Sequence, residues 1–189
     1  MAVREVSTQC KLATTAFQIL SNPPSTDIAF LAIQAFLSHC ANVSKMLQAE
    51  QEPRPIERFE YGWRAVFRWL RRWEFYTSKP TIGDLLGVRK RSSVHHEGRQ
   101  FRNNLEHYDQ RLFGWLSKHG VKIGIGDYNV MPKSAIRAPK GSLIYIRNLD
   151  PNAQTFTFVD KDLNLQALNG ELDRIKAIAD EYIAVGQRH

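Results

Sequence analysis

Along the first two thirds of the chain, apolar residues return every third or fourth position, which is the period of a helix. Val6, Cys10, Ala13, Phe17 and Leu20 mark a first helix, and "SNPPST" at 21–26 ends it. Ser25 or Thr26 can cap the next helix, with Asp27 in the first turn, where the helix dipole favours negative charge. Ile28, Leu31, Ala35, Val43 and Met46 form its expected apolar side, and the two prolines of "EQEPRP" at 50–55 stop it. A third helix is expected over 56–76, with Phe59, Trp63, Val66, Phe67 and Leu70 as its stripe. Arg64, Arg68, Arg71 and Arg72 gather on another of its faces. "TIGDLLG" reads as a single turn between a Thr81 cap and a Gly87 stop. Ser92 or Ser93 then opens a long helix that runs, despite Gly98, to the "KHG" stop at Gly120. Phe101, Leu105, Tyr108, Leu112 and Trp115 are its core side.

Beyond Gly120 the period is lost. "VKIGIGDYNVMPKSAIRAPKG" has the Gly and Pro spacing of an ordered but irregular connection. "SLIYIRNL" and "TFTFVD" are β-prone and flank "DPNAQ", a good hairpin turn. Leu165, Leu168, Leu172, Ile175, Ile178 and Tyr182 mark an amphipathic closing helix. The expected fold is mainly α: a four-helix bundle with a small C-terminal β-hairpin and a closing helix. Residues 1–120 are the bundle, and 121–189 pack onto it as part of the same domain.

Composition refines this. At 189 residues, 43% hydrophobic and 24% charged, the chain suits one globular domain with a real core. No apolar run approaches the roughly 18 residues of a membrane span. "MAVREVSTQCKLATTAF" lacks the unbroken apolar stretch of a signal peptide, and Cys10 and Cys40 form no C-x-x-C. A reduced, cytoplasmic protein without membrane contact is expected. Charge adds more, because it is uneven: of the net +7, residues 54–111 hold 13 Lys and Arg against 7 Asp and Glu. A localised basic surface either favours a polyanion, nucleic acid before lipid, or merely aids solubility.

The six histidines invite a metal, but "HHEGR" at 95–99 is not H-E-x-x-H and no cysteine pairs complete a zinc set. "GIG" at 124–126 lacks the G-x-G-x-x-G context of a dinucleotide loop, and no serine or cysteine has a nucleophile's setting. No metal or cofactor is expected. The arginine row at 64–72 interleaves with Trp63, Phe67, Trp69 and Trp73, as phosphate contacts beside stacking rings would. Trp63 and Phe67 are better read as core. The densest chemistry lies in "FRNNLEH" at 101–107. Arg99, Asn103, Glu106 and Gln110 fall opposite the apolar side of that helix, and Arg102 and His107 flank them. Arg102 with Glu106, and Asn103 with His107, are i,i+4 pairs.

Arg, a polar residue, three of any kind, then His is the motif of the HEPN family, and "RNNLEH" at 102–107 fits it. The wider "FRNNLEHYDQRLFGW" also resembles prokaryotic HEPN-like proteins of unknown function. The resemblance implies a helical bundle, commonly dimeric, with the motif in a late helix at the subunit interface. Many such domains are metal-independent ribonucleases, often toxins or RNA-processing factors, while others only bind RNA or a partner. Toxins paired with a nucleotidyltransferase antitoxin usually carry Tyr two places after the His; here Asp109 stands there, one place beyond Tyr108.

On this resemblance the chain is an RNA-binding protein and a candidate endoribonuclease acting as a homodimer, with an antitoxin-type protein as a further partner. His107 would handle the proton of the 2′-hydroxyl or of the leaving oxygen, since an imidazole titrates near neutrality. Arg102 would clamp the scissile phosphate with its planar fork. Asn103 would orient the phosphate or His107, and Glu106 would fix Arg102. Arg64, Arg68, Arg71, Arg72 and Arg99 are the RNA-binding candidates. The other reading is a non-catalytic helical dimer whose motif face serves protein association.

Overall fold

The computed structural model describes residues 2–48, 81–88, 92, 94–119, 124–137, 143–159 and 161–187. The helix expected over 56–76, with Arg64, Arg68, Arg71 and Arg72, lies outside the described residues.

Helices α1 (Ala2–Ser21) and α2 (Thr26–Gln48) follow the predicted bounds closely. The short link at 22–25 folds α2 back along α1, and the Ser25 hydroxyl accepts the Ile28 N–H at 3.3 Å as its cap. Val6, Cys10, Ala13, Ala16 and Leu20 face inward from α1. Phe17 is half-buried, its ring 5.9 Å from that of Phe36. The apolar side expected of α2 is corrected. Ile28 and Leu31 are exposed, Ala35 and Met46 are half-buried, and only Val43 of that set is fully buried. Ala29, Ile33, Phe36, Leu37, Cys40 and Leu47 form the core instead. Because α2 is covered on more than one side, its sequence holds two apolar stripes, and period alone does not rank them.

The single turn α3 (Ile82–Leu85) carries the expected cap as a full capping box: Asp84 N–H donates to Thr81 Oγ1 at 3.1 Å, and Thr81 N–H to Asp84 Oδ2 at 3.0 Å. Gly87 follows at φ +61°, a conformation that suits glycine.

The long helix expected over 92–119 is three pieces. A π-helical turn (Val94–Gly98) leads into α4 (Arg99–Glu106), and α5 (Tyr108–His119) follows a bend at His107, whose φ is −110° and ψ 37°. The bend keeps its backbone bonds: His107 N–H donates to Asn103 O at 3.2 Å, and Arg111 N–H to His107 O at 3.0 Å. Gly98 is needed here, since a Cβ on it would stand 3.0 Å from the Cβ of Cys40 on α2.

The connection after Gly120, expected to be irregular, contains strands. Strand β1 (Gly124–Gly126) pairs in parallel with β3 (Leu143–Tyr145), and β2 (Asn129–Val130) with β4 (Arg147–Asp150). Such short segments, one of them Gly-Ile-Gly, leave no alternation to read. The hairpin at "DPNAQ" forms between β4 and β5 (Thr155–Phe158), with Leu149 opposite Phe156. Asp150 Oδ1 accepts the N–H groups of Asn152 and Ala153, each at 3.0 Å, and so shapes the turn. A sixth strand, β6 (Lys161–Asn164), completes an antiparallel meander.

Asn164 then caps α6 (Leu165–Gly186), accepting the Ala167 N–H at 2.8 Å. Leu165, Leu168, Leu172, Ile175 and Ala179 are buried. Ile178 is half-buried, and Tyr182, expected in the core, is 49% exposed near the end of the helix. α6 lies along α1, joined by Thr14 Oγ1 to Asp173 at 3.0 Å and Ser7 Oγ to Asp180 at 2.5 Å. Residues from α1, α2, α4, α6 and the meander share one hydrophobic cluster. The chain is thus mainly helical with a small sheet in its C-terminal part. Among the described residues no helix is long and apolar enough to cross a membrane.

Candidate functional site

Helix α4 is fixed from its inner side. Phe101 is buried, with its ring 6.3 Å from Phe156, and Asn104 is buried beside it. Leu105 is half-buried against the same core, so it packs more shallowly than its phase suggests. Leu112 and Trp115, expected in the core, are also only half-buried, because the bend at His107 takes α5 off the line of α4.

This anchoring turns four of the predicted site residues outward together. Asn103, Glu106 and His107 are exposed, and Arg102 sits half-exposed on their flank. The Arg102 guanidinium donates to the Glu106 carboxylate, the i,i+4 pair expected from spacing. Asn103 and His107 are joined through the backbone, the His107 N–H donating to the Asn103 main-chain O. Arg99, one turn earlier, is exposed and donates to Gln48 Oε1 at 3.2 Å, so it braces α4 against the end of α2. The four motif residues are brought onto one outward face at the bent end of a helix, open to whatever covers it.

A second cluster, not among the expected site residues, meets the motif segment at Tyr108. Arg147, at the start of β4, grips Asp127 with both arms of its fork: Nε to Oδ1 at 2.8 Å and Nη2 to Oδ2 at 2.7 Å. The Tyr108 hydroxyl donates to the same Oδ2 at 3.0 Å. The guanidinium carbon stands 4.4 Å from the centre of the Tyr108 ring and 5.0 Å from that of Tyr128. Tyr108 follows His107 directly, so the network clamps the residue next to the bend. The fork and charge of Arg147 outweigh the effect of burial on Asp127 and hold its carboxyl below the usual carboxylate range. Burial, then the bond to Asp127, pushes the Tyr108 phenol up, so it remains a donor. One signal in the sequence pointed here: an arginine inside the apolar run "IYIRNL" must find a partner if its neighbours are buried.

Beside this network is a cavity of about 330 Å³. Asp27, Leu31 and Gln34 enter it from one stripe of α2, Leu105 from α4, and Tyr128 and Arg147 from the strand region. Tyr128 has φ 60°, a backbone conformation uncommon for a bulky residue. That twist lays its ring on Phe30, with centroids 4.2 Å apart, and lets its hydroxyl donate to Asp27 Oδ1 at 3.0 Å.

Other titratable groups have structural roles. His39 Nδ1 lies 2.7 Å from Gln9 Oε1, and burial lowers its pKa. Burial pushes the Cys10 thiol up to about 12 and raises Cys40 as well, which leaves both as unreactive thiols. Among the described residues no three His, Cys, Asp or Glu side chains are grouped to hold a metal. Comparison of the chain with protein-family models, with curated proteins and with solved structures returned no match.

Proposed function

We propose that this chain is a HEPN-like RNA-binding protein that acts as a homodimer in the cytoplasm and cuts RNA at Arg102 and His107. The observation that carries the reading is the shared outward face of Arg102, Asn103, Glu106 and His107 on a helix whose inner face is locked by Phe101 and Asn104. Two long helices preceding the motif helix fit a bundle of the HEPN kind. The predicted arginine row at 64–72 adds the positive charge that RNA needs.

RNA carries its own nucleophile, so the reaction needs little machinery. The 2′-hydroxyl attacks the adjacent phosphorus, and the 5′-oxygen of the next nucleotide leaves. His107 takes the proton from the first or gives one to the second. Arg102 meets the charge that builds on the phosphate oxygens, and Glu106 holds its fork in place until RNA arrives. Asn103, one turn before His107, contacts the phosphate. A second copy laid over this face turns an open surface into a cleft with two such sets. An antitoxin-type protein covering the same face would silence it.

The test is incubation of the full chain with mixed RNA and with DNA of matching sequence, with and without chelator. Cleavage of RNA that survives chelator and spares DNA is expected. RNA binding without cleavage reduces the reading to a binding module. With neither binding nor cleavage, the motif face serves protein association instead.

A further inference from the structure

Leu31 is 65% exposed in the second turn of α2, on a side of the helix that the core does not use. Asp27 and Gln34 lie four residues before it and three after, so the three share one stripe of the helix. Along that stripe positions 27 and 34 are about 10 Å apart on the helix axis at 1.5 Å per residue. An apolar floor with a polar group at each end is the shape of a site for a flat, polar-edged ring.

We infer that this cavity is a nucleobase subsite that takes guanine, an inference that rests on the RNA reading above. The Tyr128 ring, 38% exposed and backed by Phe30, gives the base an aromatic surface. Asp27 supplies acceptors at one end. Its Oδ1 already takes the Tyr128 hydroxyl at 3.0 Å, which fixes the carboxylate and leaves lone pairs for two further donors. Of the four RNA bases only guanine presents two adjacent donors on one edge, its N1–H and its 2-amino group. Adenine and cytosine set a ring acceptor beside their amine, and uracil flanks its single N–H with carbonyls, so each would turn an oxygen or ring nitrogen toward a carboxylate. The adjoining edge of guanine offers O6, next to N1, and N7, both acceptors. Gln34 and Arg147 line the same cavity, and the Gln34 amide and Arg147 Nη1, which Asp127 does not take, are donors for those acceptors.

The position suits a specificity subsite. Leu105 lines the cavity from α4, within one helical turn of Arg102 and His107. A guanosine seated there would carry its phosphate past Leu105 toward Arg102, three residues earlier on the same side of α4. The base would then select the phosphate that Arg102 and His107 attack.

The experiment is calorimetric titration of the full chain with the four ribonucleoside monophosphates, followed by sequencing of RNA cleavage ends. Guanosine monophosphate is expected to bind at least about tenfold more tightly than the other three. Asp27→Asn replaces one acceptor with a donor and should remove that preference; thermal melting checks that it folds. Gln34→Ala, on an exposed position, should weaken guanosine monophosphate alone and serves if Asp27→Asn does not fold. Cleavage ends should cluster beside guanosines and lose that bias in either variant. Four nucleotides that bind alike or not at all, or an unchanged preference in a folded Asp27→Asn, overturn the subsite. The ribonuclease reading fails separately: guanosine monophosphate bound with no RNA cut leaves the subsite standing, and RNA cut without base preference removes only the subsite.

Discussion

Asp127 shows how much one carboxylate can organise. It receives both arms of Arg147 and the hydroxyl of Tyr108, and so ties the sheet to the residue that follows His107. Asp127→Asn removes the charge and misorients one acceptor, at a cost of about 1–3 kcal/mol for a half-exposed, charge-assisted set. The sign of its pH dependence follows from the lowered pKa. A carboxyl held below its ordinary 3.8 stabilises the fold fully above that value and loses the contribution as pH falls through the folded value. Denaturation of wild type and Asp127→Asn should therefore differ by a constant amount from neutrality to about pH 4 and converge only below it. Convergence already near pH 6 would mean that the ion pair is not the source. Neighbouring side chains of α4 rank by depth: Phe101→Ala should cost about 3–5 kcal/mol and the half-buried Leu105→Ala nearer 1. Equal losses in urea unfolding would contradict that order.

Among the elements, glycine carries the clearest test. Gly98 sits where a π-helical turn meets α4, and a Cβ there would press on the Cβ of Cys40, which the α2 backbone cannot move aside. Gly98→Ala should lose about 1–2 kcal/mol to overpacking despite the better helix propensity of alanine. Gly114, in α5, has nothing within 4 Å of its would-be Cβ, so Gly114→Ala should gain about 0.5–1 kcal/mol. A gain at both positions would refute the close contact between α4 and α2. The same elements mark what the sequence could and could not reveal. Helix bounds were legible at α1, α2, α3 and α6 because capping and stop residues act locally. The outer face of α4 was legible because a charged cluster opposite Phe101 has one stable orientation. The face of α2 and the bend at His107 were not, since both depend on what packs alongside. The Arg147 network joins positions 108, 127, 128 and 147, too far apart in sequence for any periodicity to connect.

For the whole molecule, uneven charge and an uncovered motif face point the same way. Affinity for RNA should fall steeply with salt, with a slope of about 0.7 power of salt per phosphate contact on a single strand. A nearly flat salt dependence in filter binding would instead favour a packed protein interface. Self-association through the face of α4 should make the chain a dimer at micromolar concentration, and light scattering that gives a monomer would argue against a shared cleft.

A double-mutant cycle shows whether Arg102 and His107 act as the one catalytic unit on RNA proposed above. Cleavage rates on one RNA would be measured for wild type, Arg102→Ala, His107→Ala and the double variant, with thermal melting as a check on folding. Each single change should lower the rate by about two orders of magnitude or more, and the double should fall little further. RNA binding by the His107 variant should persist. Single variants that cut as fast as wild type would contradict the claim, and so would two losses that simply multiply.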